Sequence, residues 1–206
     1  MRLLGEAPDL GAMLIERCHP GQTLIAHPDL WEAVEIACVL LRRLWRPVPS
    51  VHGFATAAER SRAWSVEIAG CQAVPAPWRE LAVERAEALA ADGGPLVLGN
   101  QDFHLGNVIA AQREPWLLID PQPIVATPAF DTGHLVRDIV WHGAVERDRV
   151  EEVIARVAAL LDLGPGLVGD WALIRTAINV VWSVGEGQDP DVGDLTLGEI
   201  LLARRP

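Results

Sequence analysis

Three polar residues near the middle of the chain have the types and spacing that phosphoryl transfer requires. Asp102 follows the apolar run Leu96–Leu98, Asn107 comes five residues later, and Asp120 ends another apolar run. A carboxylate can orient and deprotonate an acceptor hydroxyl, while amide and carboxylate oxygens can hold Mg²⁺ against nucleotide phosphates. We therefore predict that Asp102 is the catalytic base and that Asn107 and Asp120 are the magnesium ligands.

The sequence around these residues resembles the aminoglycoside phosphotransferase family, and most of all its streptomycin 6-kinase and hydroxyurea kinase branch. The resemblance is carried by Asn100–Asn107, Ile119–Pro121 and Thr127–Asp131. It implies an α+β, protein-kinase-like fold. It also implies transfer of a phosphoryl group from ATP, with Mg²⁺, to a hydroxyl of a streptomycin-like aminoglycoside antibiotic.

The family's residue roles carry over by position within these motifs. Asp102 matches the catalytic Asp, and Asn107 and Asp120 match the magnesium ligands. Asp131 matches an Asp that braces the catalytic loop. The chain departs from the family at Asn100-Gln101, where the family usually has His-Gly. Because Gly permits backbone angles that Gln tolerates poorly, we expect strain at the second position.

The beginning of the chain resembles the end of the smaller lobe of such a kinase. Met13–Glu16 is predicted to be the last strand of that lobe and to lead into a turn. The resemblance implies that the turn is the hinge, in which the backbone of Arg17, Cys18 and His19 would bind the adenine edge. The domain prediction is therefore the end of the N-lobe and the hinge at 1–21, and a kinase-like C-lobe at 22–206.

The sequence contains no Lys, since all 17 of its basic residues are Arg. A kinase-like fold uses a Lys on an N-lobe strand to hold the nucleotide phosphates. The expectation is therefore a kinase that lacks most of its N-lobe. A truncated sequence is the favoured explanation, and a degenerate relative or a partner chain that supplies the lobe are the others. An incomplete N-lobe would also favour self-association.

Apolar periodicity predicts a C-lobe made mostly of helices, with short strands around the catalytic loop. Strands are predicted at Leu96–Leu98, Val108–Ala110 and Trp116–Ile119, and the last two should form a hairpin. The predicted helices run from His27–Asp29 to just before Pro47 and then over Thr56–Gly70, Pro77–Asp92, Pro128–His142, Glu146–Leu161, Gly166–Gly185 and Leu195–Ala203.

The net charge of −11 argues against nucleic acid as a partner, because nucleic-acid binding needs Lys and Arg to neutralise phosphates. An acidic chain is compatible with a small cationic substrate, since negative clefts concentrate cations. No apolar run appears long enough to cross a membrane, and no signal sequence opens the chain. We therefore expect no membrane partner and a cytoplasmic location.

Several residues have an ordinary interpretation beside a functional one. His104 is expected to support its loop through hydrogen bonds, and His134 lies eight residues from His142, too far for a metal-binding pair. Most Trp residues, Trp182 included, are expected in the core, although one or two could line a substrate pocket. The acidic loop 185–194 is expected to be a solvated surface. The less favoured alternative is that it binds a cationic substrate.

Two other functions compete with the kinase interpretation. The spacing of Asp102 and His104 also resembles the first ligand pair of metallophosphoesterases, but the downstream Asn-His pair of those enzymes is missing. The stronger alternative is a catalytically inactive, kinase-like remnant that binds small molecules. It is favoured by the missing Lys, which would otherwise stabilise charge in the transition state.

Overall fold

The computed structural model describes residues 1–92 and 94–204. In these residues, seven α-helices account for about half of the chain. They are α1 (Leu30–Leu44), α2 (Ala57–Gly70), α3 (Ala76–Ala90), α4 (Thr132–Trp141), α5 (Arg147–Leu161), α6 (Pro165–Gly185) and α7 (Val192–Leu202). The strands are β1 (Leu3–Ala7), β2 (Ala12–Ile15), β3 (Arg46–Pro47), β4 (Val97–Asn100), β5 (Val108–Ala110), β6 (Trp116–Leu118) and β7 (Pro123–Ala126).

Helix α6 forms the centre of the hydrophobic core and packs against α2, α3, α4, α5 and α7. Its side chains are buried along nearly the whole length, from Val168 to Val180. In the described chain, α6 is also long and apolar enough to cross a membrane by length and composition, a property that it shares with the core helices of globular proteins. Its contacts with five neighbouring helices account for its apolar sequence.

The catalytic-loop region is built on two small antiparallel sheets. Strand β4 lies between β3 and β7, and Gly99 of β4 faces Ile124 of β7. Strands β5 and β6 form the predicted hairpin, with Ile109 opposite Leu117. The short strands β3 and β7 were not predicted, because a two-residue strand and a strand beginning at Pro123 carry little periodic signal.

Side-chain caps fix the start of several helices. The Asp29 carboxylate accepts hydrogen bonds from the backbone N–H groups of Trp31 and Glu32, which sets the start of α1. Thr56 and Glu59 form a capping box at the start of α2. The predicted helix from Pro128 begins as a 3₁₀ turn, Pro128–Asp131, and continues as α4. Thr127 occupies the position before it, but its side chain donates and accepts no capping hydrogen bond.

The chain begins with a β-hairpin, in which β1 pairs with β2, rather than with the single strand predicted at Met13–Glu16. Strand β1 was missed because Leu3–Ala7 is short and contains a glycine. The hairpin is mostly exposed, with Leu4 61%, Met13 73% and Leu14 65% accessible. An ion pair between Arg113 of the β5–β6 turn and Glu16, with Nε to Oε1 at 2.9 Å, ties the hairpin to the rest of the chain.

The helices otherwise follow the predicted pattern, with ends that differ by a few residues. The structure is α+β, as predicted. The predicted range 22–206 ends in two residues that lie outside the described part of the chain, and the division into 1–21 and 22–206 stays a prediction.

Candidate active site

Asp102 lies in the loop between β4 and β5, and the side chain of Asn100 shapes this loop. The Asn100 amide oxygen accepts hydrogen bonds from the backbone N–H of Asp102, at 3.3 Å, and of Gln122, at 2.8 Å. Asn100 itself is buried. The residue that replaces the family's usual His therefore joins the catalytic loop to the chain segment leading into β7.

The backbone strain expected at Gln101 is absent. The non-glycine residues with positive φ in the described chain are Asp120 and Asp162. Gln101 therefore does not adopt the positive φ that Gly would permit, so the Gly of the family pattern is not required for this conformation. That expectation from the sequence was wrong.

Asp131 braces the strand that leads into the loop. Its Oδ1 accepts a hydrogen bond from the backbone N–H of Asn100 at 3.1 Å, and its Oδ2 accepts one from Trp45 Nε1 at 2.9 Å. Gly99 allows this approach, because a Cβ there would come within 2.6 Å of Asp131 Oδ2. Burial raises the pKa of Asp131 to about 7, although both donated hydrogen bonds act to lower it.

Asn107 lies beside Asp102. Its side-chain N–H₂ group donates to the Asp102 backbone carbonyl at 3.0 Å and lies 3.3 Å from the Asp102 carboxylate oxygen Oδ2. In the described residues the Asn107 amide oxygen accepts no hydrogen bond from the protein. The amide is therefore oriented by Asp102, and its oxygen is left for another ligand.

Asp120, the other predicted magnesium ligand, follows the paired strand. The backbone N–H of Ile119 donates to the Asn107 carbonyl at 2.9 Å, which brings the segment that holds Asp120 next to the segment that holds Asn107. Asp120 is exposed and has a φ of 47°, a left-handed conformation that Asp tolerates better than most residues. Both side chains offer oxygen atoms, the donor type that Mg²⁺ prefers, so the residues fit this ion.

His134, on α4, contacts Asp102, although no role was expected for it from the sequence. Its Nδ1 lies 3.0 Å from Asp102 Oδ1, and its Nε2 lies 3.5 Å from Arg175 Nη2. The Nδ1 contact is short but poorly aligned for a hydrogen bond. These partners assign the neutral tautomer with the proton on Nδ1, since Nε2 faces a guanidinium donor.

The contact with His134 is the main reason why the pKa of Asp102 is lowered to about 2, and the charge of Arg175 adds to it. Burial lowers the pKa of His134 to about 3. Asp102 is therefore ionised and His134 neutral at neutral pH. The site presents a carboxylate that is held in place and available to accept a hydrogen bond from an acceptor hydroxyl.

Arg175 is buried on α6 and points at the catalytic loop. Its guanidinium lies 3.5 Å from Asp102 Oδ1 and donates to the Gln101 carbonyl at 3.4 Å. The sequence did contain an indication of this contact that was not used. A charged residue in the middle of an otherwise apolar helix needs a buried partner. His134 had a weaker signal, three residues after Asp131.

His104 supports the loop as expected, because its Nδ1 accepts a hydrogen bond from the Gly106 backbone N–H at 3.2 Å. Ligand atoms of Asp102, His104 and His134 lie within 4.8 Å of one another, a spacing that could hold a metal ion. The positive charge of Arg175 beside Asp102 opposes a cation there.

The predicted hinge connects β2 to the catalytic-loop hairpin. Gly21 donates a backbone hydrogen bond to the Ala110 carbonyl at 3.1 Å. Arg17, Cys18 and His19 form an extended, non-regular segment before it. In the part of the chain that the structure describes, no backbone hydrogen bond involves the N–H groups of these residues, which leaves them available to a planar ligand edge.

A cavity of about 230 Å³ opens beside Asp102, and we call it the Asp102 pocket. Besides Asp102, its lining residues are Arg60, Trp64, Gln101, Gln122, Arg175 and Trp182. Two Trp residues thus line a pocket, and Trp182 is 39% exposed rather than buried in the core. Neither these Trp residues nor Arg60 were singled out as site residues from the sequence.

The residues of the acidic loop 185–194 do not line this pocket. Asp194 is buried, and its two carboxylate oxygens accept from Arg137, each at 2.8 Å. Asp191 caps α7 through the Gly193 backbone N–H. Two of the carboxylates expected on a solvated face therefore have structural roles.

The fold is protein-kinase-like, as solved structures of small-molecule kinases show. The choline kinase LicA from Streptococcus pneumoniae matches with a TM-score of 0.68, at 15% identity over 99% of this chain and 74% of that structure. A choline/ethanolamine kinase family protein from Mesorhizobium loti matches with a TM-score of 0.58, at 17% identity over 100% of this chain and 73% of that structure. At this identity the likeness establishes the fold.

The chain belongs to the aminoglycoside/hydroxyurea antibiotic resistance kinase family, whose sequence model matches residues 1–187. Streptomycin 6-kinase of Streptomyces glaucescens is 32% identical over 98% of this chain and 68% of its own length. Streptomycin 6-kinase of Streptomyces griseus is 30% identical over 91% of this chain and 63% of its own length. Hydroxyurea phosphotransferase of Kitasatospora aureofaciens is 33% identical over 99% of the chain and 60% of its own length. The chain thus spans 60 to 68% of the length of these relatives.

Proposed function

We propose that this chain transfers the terminal phosphoryl group of ATP, with Mg²⁺, to a hydroxyl of a small molecule in the cytoplasm. The single observation that carries the proposal is the arrangement at the catalytic loop. Asp102 is an ionised carboxylate held by His134 and Arg175. The Asn107 amide lies against that carboxylate and keeps its oxygen free.

Each residue has a defined task in this proposal. Asp102 accepts a hydrogen bond from the acceptor hydroxyl and aligns the hydroxyl oxygen with the phosphorus. It takes the proton as the new O–P bond forms and the bond between the terminal phosphoryl group and ADP breaks, so that ADP leaves. Asn107 and Asp120 would hold Mg²⁺, which when bound neutralises charge on the transferred phosphoryl group. The backbone of Arg17, Cys18 and His19 would receive the adenine edge. A LicA structure in complex with AMP, similar in fold, supports nucleotide use.

The first acceptors to assay are streptomycin and hydroxyurea, because the names of the relatives refer to them. Membership of the family, together with the loop that holds Asp102, supports an antibiotic-modifying kinase. The streptomycin-like acceptor is the first candidate from the resemblance.

The test is ATP consumption by the purified chain, with mass spectrometry of the acceptor to detect the added phosphoryl group. Asp102→Asn should lower turnover roughly a hundredfold to ten-thousandfold, the usual range for losing a general base. Asp189→Asn, which alters an exposed carboxylate outside the site, is the control and should leave turnover unchanged. Turnover that survives Asp102→Asn would remove Asp102 from the mechanism.

The absence of Lys favours a second candidate, an inactive kinase-like protein that binds nucleotide or small molecules. Without a Lys to hold the phosphates, we expect turnover below the ordinary kinase range of about 1 to 100 per second. Calorimetric binding of Mg·ATP without any Asp102-dependent turnover would favour this second candidate.

A further inference from the structure

The charge around the Asp102 pocket differs from that of the whole chain. The chain has a net charge of −11, yet the lining residues of the pocket include two guanidinium groups, from Arg60 and Arg175, and one carboxylate, that of Asp102. A site built to hold a polycation would present additional carboxylates. The nearby acidic loop supplies none, since its residues do not line the pocket.

The two arginines are in different situations. Arg175 is buried, paired with Asp102, and stacked on Trp182 with its guanidinium carbon 5.0 Å from the ring centroid. Arg60 is half-buried on α2, and within residues 1–92 and 94–204 its guanidinium has no ion pair or hydrogen bond. An Arg that lines a concave site without a partner is suited to a carboxylate or another planar anion, which it can bind through two parallel N–H donors.

The walls and the size restrict the ligand further. Trp64 and Trp182 meet edge to face, with ring centroids 6.1 Å apart, and Trp64 stacks on Phe130. These rings provide a rigid apolar surface, and the amides of Gln101 and Gln122 add neutral polar groups. The cavity of about 230 Å³ lies below the usual range of roughly 300 to 1,000 Å³ for drug-sized ligands, so it suits a compact molecule.

We infer that the Asp102 pocket selects a compact acceptor that carries a carboxylate or a similar anionic group, which Arg60 binds while the hydroxyl meets Asp102. This inference rests on the proposed function, since it takes the pocket as the acceptor site. It names an acceptor class of opposite charge to an aminoglycoside, and it therefore places compact acids before streptomycin among the acceptors to assay.

The test uses three ring compounds that share one hydroxymethyl group and differ in charge. They are 4-(hydroxymethyl)benzoate, 4-(hydroxymethyl)benzamide and 4-(hydroxymethyl)benzylamine. Binding to the chain saturated with Mg·ADP is measured by isothermal titration calorimetry. The acid should bind about tenfold or more tightly than the amine, as expected for hydrogen bonds to a charged group.

Arg60→Gln should abolish this preference for the acid. Arg62→Gln is the matched control, because Arg62 is exposed on the same helix and does not line the pocket. Equal or tighter binding of the amine, or a preference for the acid that persists in Arg60→Gln, would overturn the inference. So would competition between Mg·ADP and the acid, because the pocket would then belong to the nucleotide.

A separate readout keeps the two proposals apart. Phosphoryl transfer is assayed with the same three compounds in the parent chain and in Asp102→Asn. Arg60-dependent binding of the acid without any Asp102-dependent transfer contradicts the proposed function and supports the charge selection. Asp102-dependent transfer without a preference for the acid contradicts the charge selection alone.

Discussion

His134 and Asp102 are in direct contact, with Nδ1 of the imidazole 3.0 Å from the carboxylate oxygen Oδ1. Burial lowers the pKa of His134 to about 3, so the ring stays neutral in the folded protein over a pH range in which an unfolded chain would bind a proton. This difference links the stability of the fold to pH.

The first prediction concerns that linkage. Because the unfolded state binds more protons between roughly pH 3 and pH 6.5, stability should rise as the pH increases through this window and be lost as the pH falls through it. His134→Gln removes the titrating group and keeps a neutral side chain. The parent chain should therefore gain stability relative to His134→Gln between about pH 4 and pH 7, measured as urea midpoints.

His52→Gln is the control for this measurement, since His52 is exposed. It should follow the pH dependence of the parent. An identical pH dependence in the parent and in His134→Gln would show that His134 is not held neutral by burial.

The second prediction is that Asp131→Asn destabilises the fold. Asp131 accepts hydrogen bonds from two N–H donors, the Asn100 backbone and Trp45 Nε1. An Asn can accept with its oxygen only, and its N–H₂ group would face the remaining donor. A buried donor left without a partner costs about 1 to 3 kcal/mol in the free energy of unfolding.

Urea denaturation measures this loss, with Asp189→Asn as the control for a carboxylate-to-amide change on the surface. Trp45→Phe removes one donor and should reduce the cost of Asp131→Asn in the double variant. Strict additivity of the two changes would argue against the Trp45–Asp131 hydrogen bond.

The third prediction tests the two proposed magnesium ligands. Asn107→Ala and Asp120→Ala should weaken Mg²⁺-dependent nucleotide binding, because each removes one oxygen ligand of the proposed ion. Excess Mg²⁺ should partly restore binding. Titration of ATP at several Mg²⁺ concentrations measures this, and Asp189→Ala should behave like the parent. Equal Mg²⁺ dependence in all four proteins would contradict the assignment of both ligands.

The fourth prediction is self-association through the N-terminal hairpin. Strands β1 and β2 expose several large apolar side chains, including Leu4, Met13 and Leu14. Such a surface on a sheet with free edges favours pairing between copies. Leu14→Lys should reduce the apparent mass measured by light scattering at high protein concentration.

Val51→Lys provides the matched control, because Val51 is 90% exposed and lies outside the hairpin. It should leave the association unchanged. A parent chain that stays monomeric at all concentrations would contradict the prediction.

The sequence was sufficient to predict the helices and the catalytic-loop hairpin, because long apolar periodicity and the Asp102–Asn107 spacing are local signals. It was insufficient for the contacts around Asp102. His134 and Arg175 belong to α4 and α6, and they meet Asp102 only after these helices pack together. Contacts between residues so far apart in the sequence depend on how the helices pack, which no local pattern encodes.

The wrong expectation about Gln101 has a local cause. The family pattern suggested that Gly is needed there, but the buried Asn100 side chain supports the loop by accepting two backbone hydrogen bonds. Asn100, which replaces the family's usual His, therefore supports the same loop in which Gln101 replaces the family's usual Gly. In the acidic loop, Glu186 and Asp189 are exposed as expected, but the expectation was wrong for Asp194, which forms a buried ion pair with Arg137.

The two arginines of the Asp102 pocket differ in how freely they can change during evolution. Arg175 lies on the central helix α6 and is tied to Asp102, so its replacement disturbs the catalytic loop and the core together. Arg60 projects from the outer helix α2 without an ion pair in the described chain. With Arg60 as the proposed anion-binding group, a single codon change there would alter which acceptor is preferred while the scaffold stays intact, so the preferred charge of the acceptor could change in one mutational step.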